Sequence, residues 1–383
     1  MSKSVEKIIA DTFLDMASAL ETGSFRAATI ALTGLGSEHG EDNMKEGARM
    51  AATRGINVIY IGSACDGVQT VHADCENEAH EIMQRMISNG EADGAVTMHF
   101  AFPIGVSTVG CVVTPGRGKA MYIATTTGTS SVDRVESMVL NALSGIITAK
   151  ACGNPNPTVG ILNIDGARQA ETALTKLQKN GYDITFAQSG RADGGCIMRG
   201  NDVLAASCDV LVTDPLTGNI LMKTLSSFTT GGSYESLGWG YGPGIGEGYD
   251  KLVLILSRAS GAPVVANAIE FASMLVQGNH MVIAEREFAA AKKAKLTEVL
   301  KAIRAKNTSA TATQAVKEPP KEVVTAEISG IEISDLEDAV SALWAESIYA
   351  QSGMGCTGPI ILVSEANLKQ AEAALVAKGY MGQ

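Results

Sequence analysis

Eight short apolar runs, at residues 28–32, 57–61, 94–98, 121–124, 159–164, 210–213, 252–255 and 360–363, alternate with helical patterns along nearly the whole chain. Strand and helix in strict alternation build a parallel sheet, because each parallel strand needs a crossover and a helix is the usual crossover. The runs are continuous Val, Ile and Leu rather than alternating with polar residues, so both faces of the sheet are expected to be covered. The sequence therefore predicts an α/β fold with a mainly parallel sheet flanked by helices. Its 41 glycines gather near strand ends, where an open α/β sheet places its ligands.

A chain of 383 residues, 45% of them hydrophobic, suffices for about two domains. Residues 1–28 read as an N-terminal helix, with Lys3, Glu6, Lys7, Asp11 and Asp15 interleaved with Ile8, Ile9, Phe13 and Leu14, an amphipathic pattern rather than a signal peptide. The body is expected over 29–284, a charged helix and flexible linker over 285–322, and a C-terminal module carrying Cys356 over 323–383. The linker rests on the aperiodic Thr/Ala/Pro composition of 307–322, which implies a tethered module able to travel. A helix is expected from about 334 to 350, then a loop, one strand and a last helix. One internal echo, 161–182 against 362–380, repeats a strand, loop and helix; duplication and convergence both account for it.

The formal charge of −11 argues against a nucleic-acid or anionic-membrane partner, and no apolar run is long enough to span a bilayer. Seven scattered cysteines without CxxC spacing fit free thiols in a reducing cytoplasm. The five histidines show no metal-ligand spacing, and no full dinucleotide fingerprint is present, so neither a metal nor a cofactor is expected.

Four segments carry chemistry. Gly36, Ser37 and His39 lie in a glycine-rich turn between the first strand and its helix, a place where backbone N–H groups and the helix dipole favour an anion. A tight turn with no ligand explains them equally, and His39 either donates to a phosphate or caps the turn. Thr217, Gly218 and Asn219 form a polar turn opening a helix that carries Lys223. The segment 229–248 is too rich in glycine to pack a core, so it either wraps a small ligand or orders on a partner. Cys356 stands in Gly353-Met354-Gly355-Cys356-Thr357-Gly358-Pro359, a loop whose glycines and proline cannot continue a helix or strand. As a lone thiol it is either an inert filler or a nucleophile.

Together, residues 30–40, 89–93, 157–164, 209–219 with Lys223, and 241–269 resemble the PlsX-type phosphate acyltransferases. That resemblance implies an isopropylmalate-dehydrogenase-like fold and a phosphate or acyl-phosphate site formed by Gly36, Ser37, His39, Thr217, Gly218, Asn219 and Lys223. The chain departs from the pattern at 99–105 and at Ser257-Arg258-Ala259-Ser260, and it runs about a hundred residues further. A PlsX-like body followed by a cysteine module resembles the alpha subunits of component C of glycine/sarcosine/betaine reductase systems over its whole length. That second resemblance implies a hetero-oligomer with the beta subunit of component C, selenoprotein A as a further partner, and Cys356 as an acetyl-accepting nucleophile. Inorganic phosphate would then release acetyl phosphate from the thioester. A free-standing phosphate acyltransferase of phospholipid synthesis and a non-catalytic scaffold subunit are the alternatives.

Overall fold

The computed structural model describes Phe13 and residues 27–190, 195–307, 317–331, 335–355, 358–378 and 380–381. Apart from Phe13 and residues 27 and 28, the expected N-terminal helix lies outside the described residues. So do Cys356 and positions 308–316 of the expected linker.

The main sheet is mostly parallel and flanked by helices. One wing holds β1 (Thr29–Thr33), β2 (Asn57–Ile61), β3 (Gln69–Val71), β4 (Gly94–Thr97) and β13 (Val253–Ile255), with neighbouring strands parallel. The other wing holds β7 (Ala120–Thr129), β8 (Thr158–Leu162), β9 (Thr185–Phe186), β10 (Ile197–Met198) and β11 (Val210–Val212), likewise parallel. Two antiparallel strands join the wings, β6 (Val106–Val113) and β12 (Gly242–Gly246).

Neither joining strand belongs to the eight expected ones, and β12 corrects the reading of 229–248 as unable to pack a core, since all five of its residues are buried. Glycine is what lets it pack there. A Cβ on Gly244 would stand 2.3 Å from the Phe102 ring, and one on Gly242 would stand 1.8 Å from the Val109 carbonyl oxygen, so the close approach excludes any larger side chain. A glycine-rich strand carries no hydrophobic signal because its neighbours supply the side chains.

Helices cover both faces. On one wing, α1 (Gly40–Thr53) and α7 (Ala262–Gln277) pack together, and α2 (Glu76–Asn89) lies against β1, β2 and β4. On the other, α3 (Arg134–Ala151) is buried along nearly all its length between the sheet and later helices. Around it stand α4 (Ala167–Lys179), the short α5 (Gly200–Leu204), α6 (Pro215–Ser227), α8 (His280–Lys293) and α9 (Leu296–Asn307). The segment from 285 to 306, expected as one charged helix leading into the linker, is therefore parts of two helices that belong to the body. Phe288, Ala291, Leu296 and Val299 enter the core cluster of α3, and the buried carboxylate of Glu287 accepts from Lys150 Nζ at 2.7 Å and Tyr182 Oη at 2.9 Å. Charged residues in its sequence conceal an apolar face at helical spacing.

The C-terminal residues form a second, antiparallel sheet: β14 (Ala326–Ser329), β16 (Gly358–Val363), β15 (Ala350–Gly355) and β5 (Phe102–Pro103). It packs with α10 (Leu336–Ala345) and α11 (Leu368–Ala377) around Leu336, Leu343, Ile361 and Leu375. The expected helix thus ends at Ala345, five residues early, because Ser347 takes φ +61 and turns the chain into β15. The glycines and proline around position 356 do continue strands, since Gly353 pairs with Ile360, Met354 with Pro359 and Gly355 with Gly358. Backbone pairing with a neighbour outweighs the poor intrinsic strand preference of these residues. The fourth strand, β5, comes from the body just after β4, and its Pro103 and Phe102 pair with Gly353 and Met354. In this structure the module is docked by that shared edge.

Candidate functional site

The α6 entrance fixes the site from the backbone outward. Asp214 caps the helix, its carboxylate accepting from Thr217 N at 3.0 Å and Thr217 Oγ1 at 2.8 Å, and Pro215 starts the first turn. The capped Thr217 N–H, an otherwise orphan donor, and the fixed proline φ favour a helix beginning here. Gly218 lets the first turn lie against β7, where any Cβ would fall 1.8 Å from the Thr125 carbonyl oxygen. Asn219 Nδ2 then donates to the Thr126 carbonyl at 3.3 Å.

One turn on, Lys223 reaches over the Tyr241 ring, 5.6 Å from its centroid. Its ammonium donates to Ser257 Oγ at 3.0 Å and stands 3.6 Å from Glu235 Oε1. Glu235 is buried, and its carboxylate also accepts from Tyr241 Oη and Ser260 Oγ, each at 2.9 Å. A buried carboxylate is tolerable only with such partners. Burial, reinforced by Glu235, holds the Tyr241 hydroxyl far above its ordinary pKa, so it stays a neutral donor.

A cleft of about 510 Å³ opens above this network. The body contributes Thr127, Asn219, Lys223, Tyr241, Ser257 and Arg258 to its walls, and the C-terminal sheet contributes Glu327, Ser329, Gly355 and Ile360. His99, also in the wall, brings Nε2 within 3.7 Å of Glu327 Oε1 across the two parts. The cleft thus collects chain segments that follow β4 and β13 on one wing with β7 and α6 of the other. A second cleft, of about 620 Å³, meets it at Thr127, Asn219 and Gly355 and includes Pro359.

The expected site residues divide. Asn219 and Lys223 line the first cleft, while Thr217 and Gly218 seat the helix that carries them. Gly36, Ser37 and His39 stand beside it, and only their neighbour Glu38 reaches the wall. His39 precedes α1, its Nε2 lies 3.3 Å from the Ala259 carbonyl, and its ring meets Tyr234 edge-on. Glu41 and Asp42 already occupy the first turn of α1, where an anion would otherwise be favoured. Burial would raise the pKa of Glu41, but hydrogen bonds from Ser63 and Tyr60 outweigh it and hold the carboxyl below its ordinary value. Cys356 lies outside the described residues; Gly355 before it and Pro359 after it border the second cleft, and Gly355 borders the first as well.

Sequence reasoning missed Thr127, held Glu235 and Tyr241 only within the segment 229–248 that it read as wrapping a ligand or ordering on a partner, and took 257–260 only as a departure from a pattern. Nothing local marks Glu235. The other departure, 99–105, contains β5, the strand that seats the C-terminal sheet, together with His99 of the cleft.

The six described cysteines have free thiols. Burial pushes the Cys152 thiol up to about 11 and the Cys196 and Cys208 thiols up to about 12, and it raises those of Cys65 and Cys111 as well. Thiolate is the reactive form, so none of these five suits nucleophilic chemistry near neutral pH. Iodoacetamide on the native protein at pH 7.5 is expected to alkylate exposed Cys75 and leave those five unlabelled, read by peptide mass spectrometry. Labelling of Cys196 or Cys208 at the rate of Cys75 would contradict their burial.

The family described as "Fatty acid synthesis protein" matches residues 28–362. The chain is 55% identical over 375 residues to the glycine/sarcosine/betaine reductase complex component C subunit alpha of Peptoclostridium acidaminophilum, which covers 97% of each chain. The chain belongs to the component C alpha-subunit family. This component C alpha-type chain is also 37% identical over 84 residues to a phosphate acyltransferase of Thermosipho africanus, spanning 22% of this chain and 24% of that one. A phosphate acyltransferase of Gluconacetobacter diazotrophicus is 26% identical over 250 residues, 53% of this chain and 66% of that one. The likeness to component C alpha subunits thus spans nearly the whole chain, and the likeness to acyltransferases only part of it.

Proposed function

We propose that this chain is the acetyl-transferring subunit of a glycine/sarcosine/betaine reductase complex, forming an acetyl thioester on Cys356 and releasing acetyl phosphate by phosphorolysis. The observation that carries the reading is that Gly355 and Pro359, which bracket Cys356 in sequence, border clefts whose walls also hold Asn219 and Lys223. The five cysteines with raised thiol pKa leave few competitors for the role. In the proposed step, a phosphate oxygen held near Lys223 attacks the thioester carbonyl, the C–S bond breaks, and Cys356 departs as thiolate while acetyl phosphate leaves. Lys223 and Asn219 supply a cation and an amide donor to phosphate, with Ser257 and Arg258 on the facing wall. Gly36, Ser37 and His39 support the rim through Glu38.

Inorganic phosphate is the only co-substrate this chemistry requires of the chain, and no further cofactor enters it. The beta subunit of component C and selenoprotein A are the proposed partners for acetyl loading, in a hetero-oligomer of the cytoplasm. Among the described residues no helix is long and apolar enough to cross a membrane.

Lys223→Ala and Asn219→Ala are each expected to slow phosphorolysis of preformed acetyl-enzyme by roughly 10–100-fold, the effect of losing a hydrogen bond to a charged group. Stopped assays of acetyl phosphate against phosphate concentration measure it. Wild-type rates in both variants would place phosphate elsewhere. The partial likeness to phosphate acyltransferases favours the second reading, direct acyl transfer to phosphate without a cysteine, and that reaction would survive removal of the thiol.

A further inference from the structure

As phosphate adds to an acyl carbonyl, negative charge develops on the carbonyl oxygen, and a donor fixed in place must meet it there. Lys223 and Asn219 serve the phosphate, which leaves that oxygen without a partner. The two clefts narrow the choice. Among the described residues, Thr127, Asn219 and Gly355 line both, so their overlap is where a phosphate in the first cleft meets an acyl group brought in beside Gly355.

Three consecutive threonines lie in β7, and their hydroxyls meet different fates. Thr125 Oγ1 donates to the Thr108 and Thr127 carbonyls, each at 2.8 Å, and Thr126 Oγ1 donates to the Tyr241 carbonyl at 2.7 Å. Both residues are fully buried. Thr127 is half-buried, and among the described residues its Oγ1 has no hydrogen-bond partner. Its backbone is tied on both sides. The N–H donates to Thr108 Oγ1 at 2.9 Å, and the carbonyl accepts from Thr108 Oγ1 at 3.0 Å as well as from Thr125. A β-branched side chain on so fixed a strand has few χ1 choices, so the hydroxyl stands at the overlap before any substrate arrives. Neighbouring donors are committed: Lys223 to Ser257 Oγ, and Arg258 to Glu76 at 3.0 Å. Asn219 Nδ2 donates to the Thr126 carbonyl, in the peptide that joins Thr126 to Thr127, and this bond keeps the phosphate-side amide next to the unspent hydroxyl.

We propose that Thr127 is a catalytic residue whose hydroxyl donates to the carbonyl oxygen of the acyl group transferred to phosphate. The inference rests on the acyl-transfer reading above and names the donor which that reading lacks. As a phosphate oxygen bonds to the carbonyl carbon, the C=O electron pair moves onto oxygen, and Thr127 hydrogen-bonds the oxyanion without giving up its proton. When the C=O re-forms, the C–S bond breaks and the sulfur leaves with the electron pair. The role is the same for a thioester on Cys356 and for one carried by another molecule.

Two variants test it in single-turnover phosphorolysis of preformed acetyl-enzyme across a range of phosphate concentrations. Thr127→Val keeps the branched shape without the hydroxyl, and Thr127→Ser keeps the hydroxyl. Thr127→Val is expected to lower the maximal rate about 10²-fold, the cost of one oxyanion donor. The phosphate concentration at half-maximal rate should stay within about twofold, since the lost bond forms only in the transition state. Thr127→Ser should stay within about fivefold of wild type in rate, and both variants should unfold at the wild-type midpoint. A Thr127→Val rate within about threefold of wild type, a loss that Thr127→Ser shares in full, or a loss that accompanies a lowered midpoint would overturn the role. Failure of the thioester reading looks different. Phosphate-dependent acetyl transfer from S-acetyl-N-acetylcysteamine would then persist in Cys356→Ala, and the contrast between Thr127→Val and Thr127→Ser should remain in that background.

Discussion

Cys356→Ala and Cys356→Ser are expected to lower acetyl phosphate formation by at least 10³-fold while leaving the far-ultraviolet circular dichroism and the unfolding midpoint unchanged. The thiol is the acceptor in the proposed mechanism, and a serine alkoxide is not available near neutral pH, so neither replacement can carry the acetyl group. Stability should be spared because the C-terminal core is built among the described residues by Leu336, Leu343, Ile361 and Leu375. Intact-mass measurement during turnover should show an added acetyl group on the wild-type chain, absent from both variants. A variant that keeps full turnover would remove the thioester and favour direct acyl transfer to phosphate.

Gly218→Ala is expected to have the largest structural effect of any methyl-sized change in the site. The new carbon would fall 1.8 Å from the Thr125 carbonyl oxygen and 3.2 Å from Thr213 Cγ2. Neither backbone can yield without moving α6 off β7, and overpacking of this kind costs about 3 kcal/mol. The same displacement carries Asn219 and Lys223 away from the cleft, so phosphate use should fall along with stability. Gly200→Ala, where nothing lies within 4 Å of the added carbon, is the matching control and should unfold at the wild-type midpoint. Denaturant titration of both variants decides the matter. A Gly218→Ala midpoint equal to that of Gly200→Ala would mean that the helix has room to shift at no cost.

The apolar runs and their spacing sufficed, by themselves, for the mainly parallel sheet, because burial on both faces imposes a continuous hydrophobic strand whatever its neighbours are. The helix that carries Lys223 was legible too, but it begins at Pro215, so Thr217, Gly218 and Asn219, read as a turn before it, lie inside its first turns. Strands whose stability comes from their partners were not legible. Gly242–Gly246 reads as floppy until Phe102 and Val109 lie against it, and the segments 353–355 and 358–359 read as loop until Phe102–Pro103 and the Gly355–Gly358 register hold them extended. Charge misled in the same way at 285–306, where Phe288, Ala291 and Leu296 are covered by α3 and its neighbours. The site shows the division most clearly. Lys223 belongs to a motif, but Glu235, Tyr241, Ser257 and Ser260, which orient it, are joined by hydrogen bonds across separate segments. Local periodicity and capping act over a few residues and are written in sequence order, whereas hydrogen bonds and close backbone approaches between distant segments exist only once the sheet has brought those segments together.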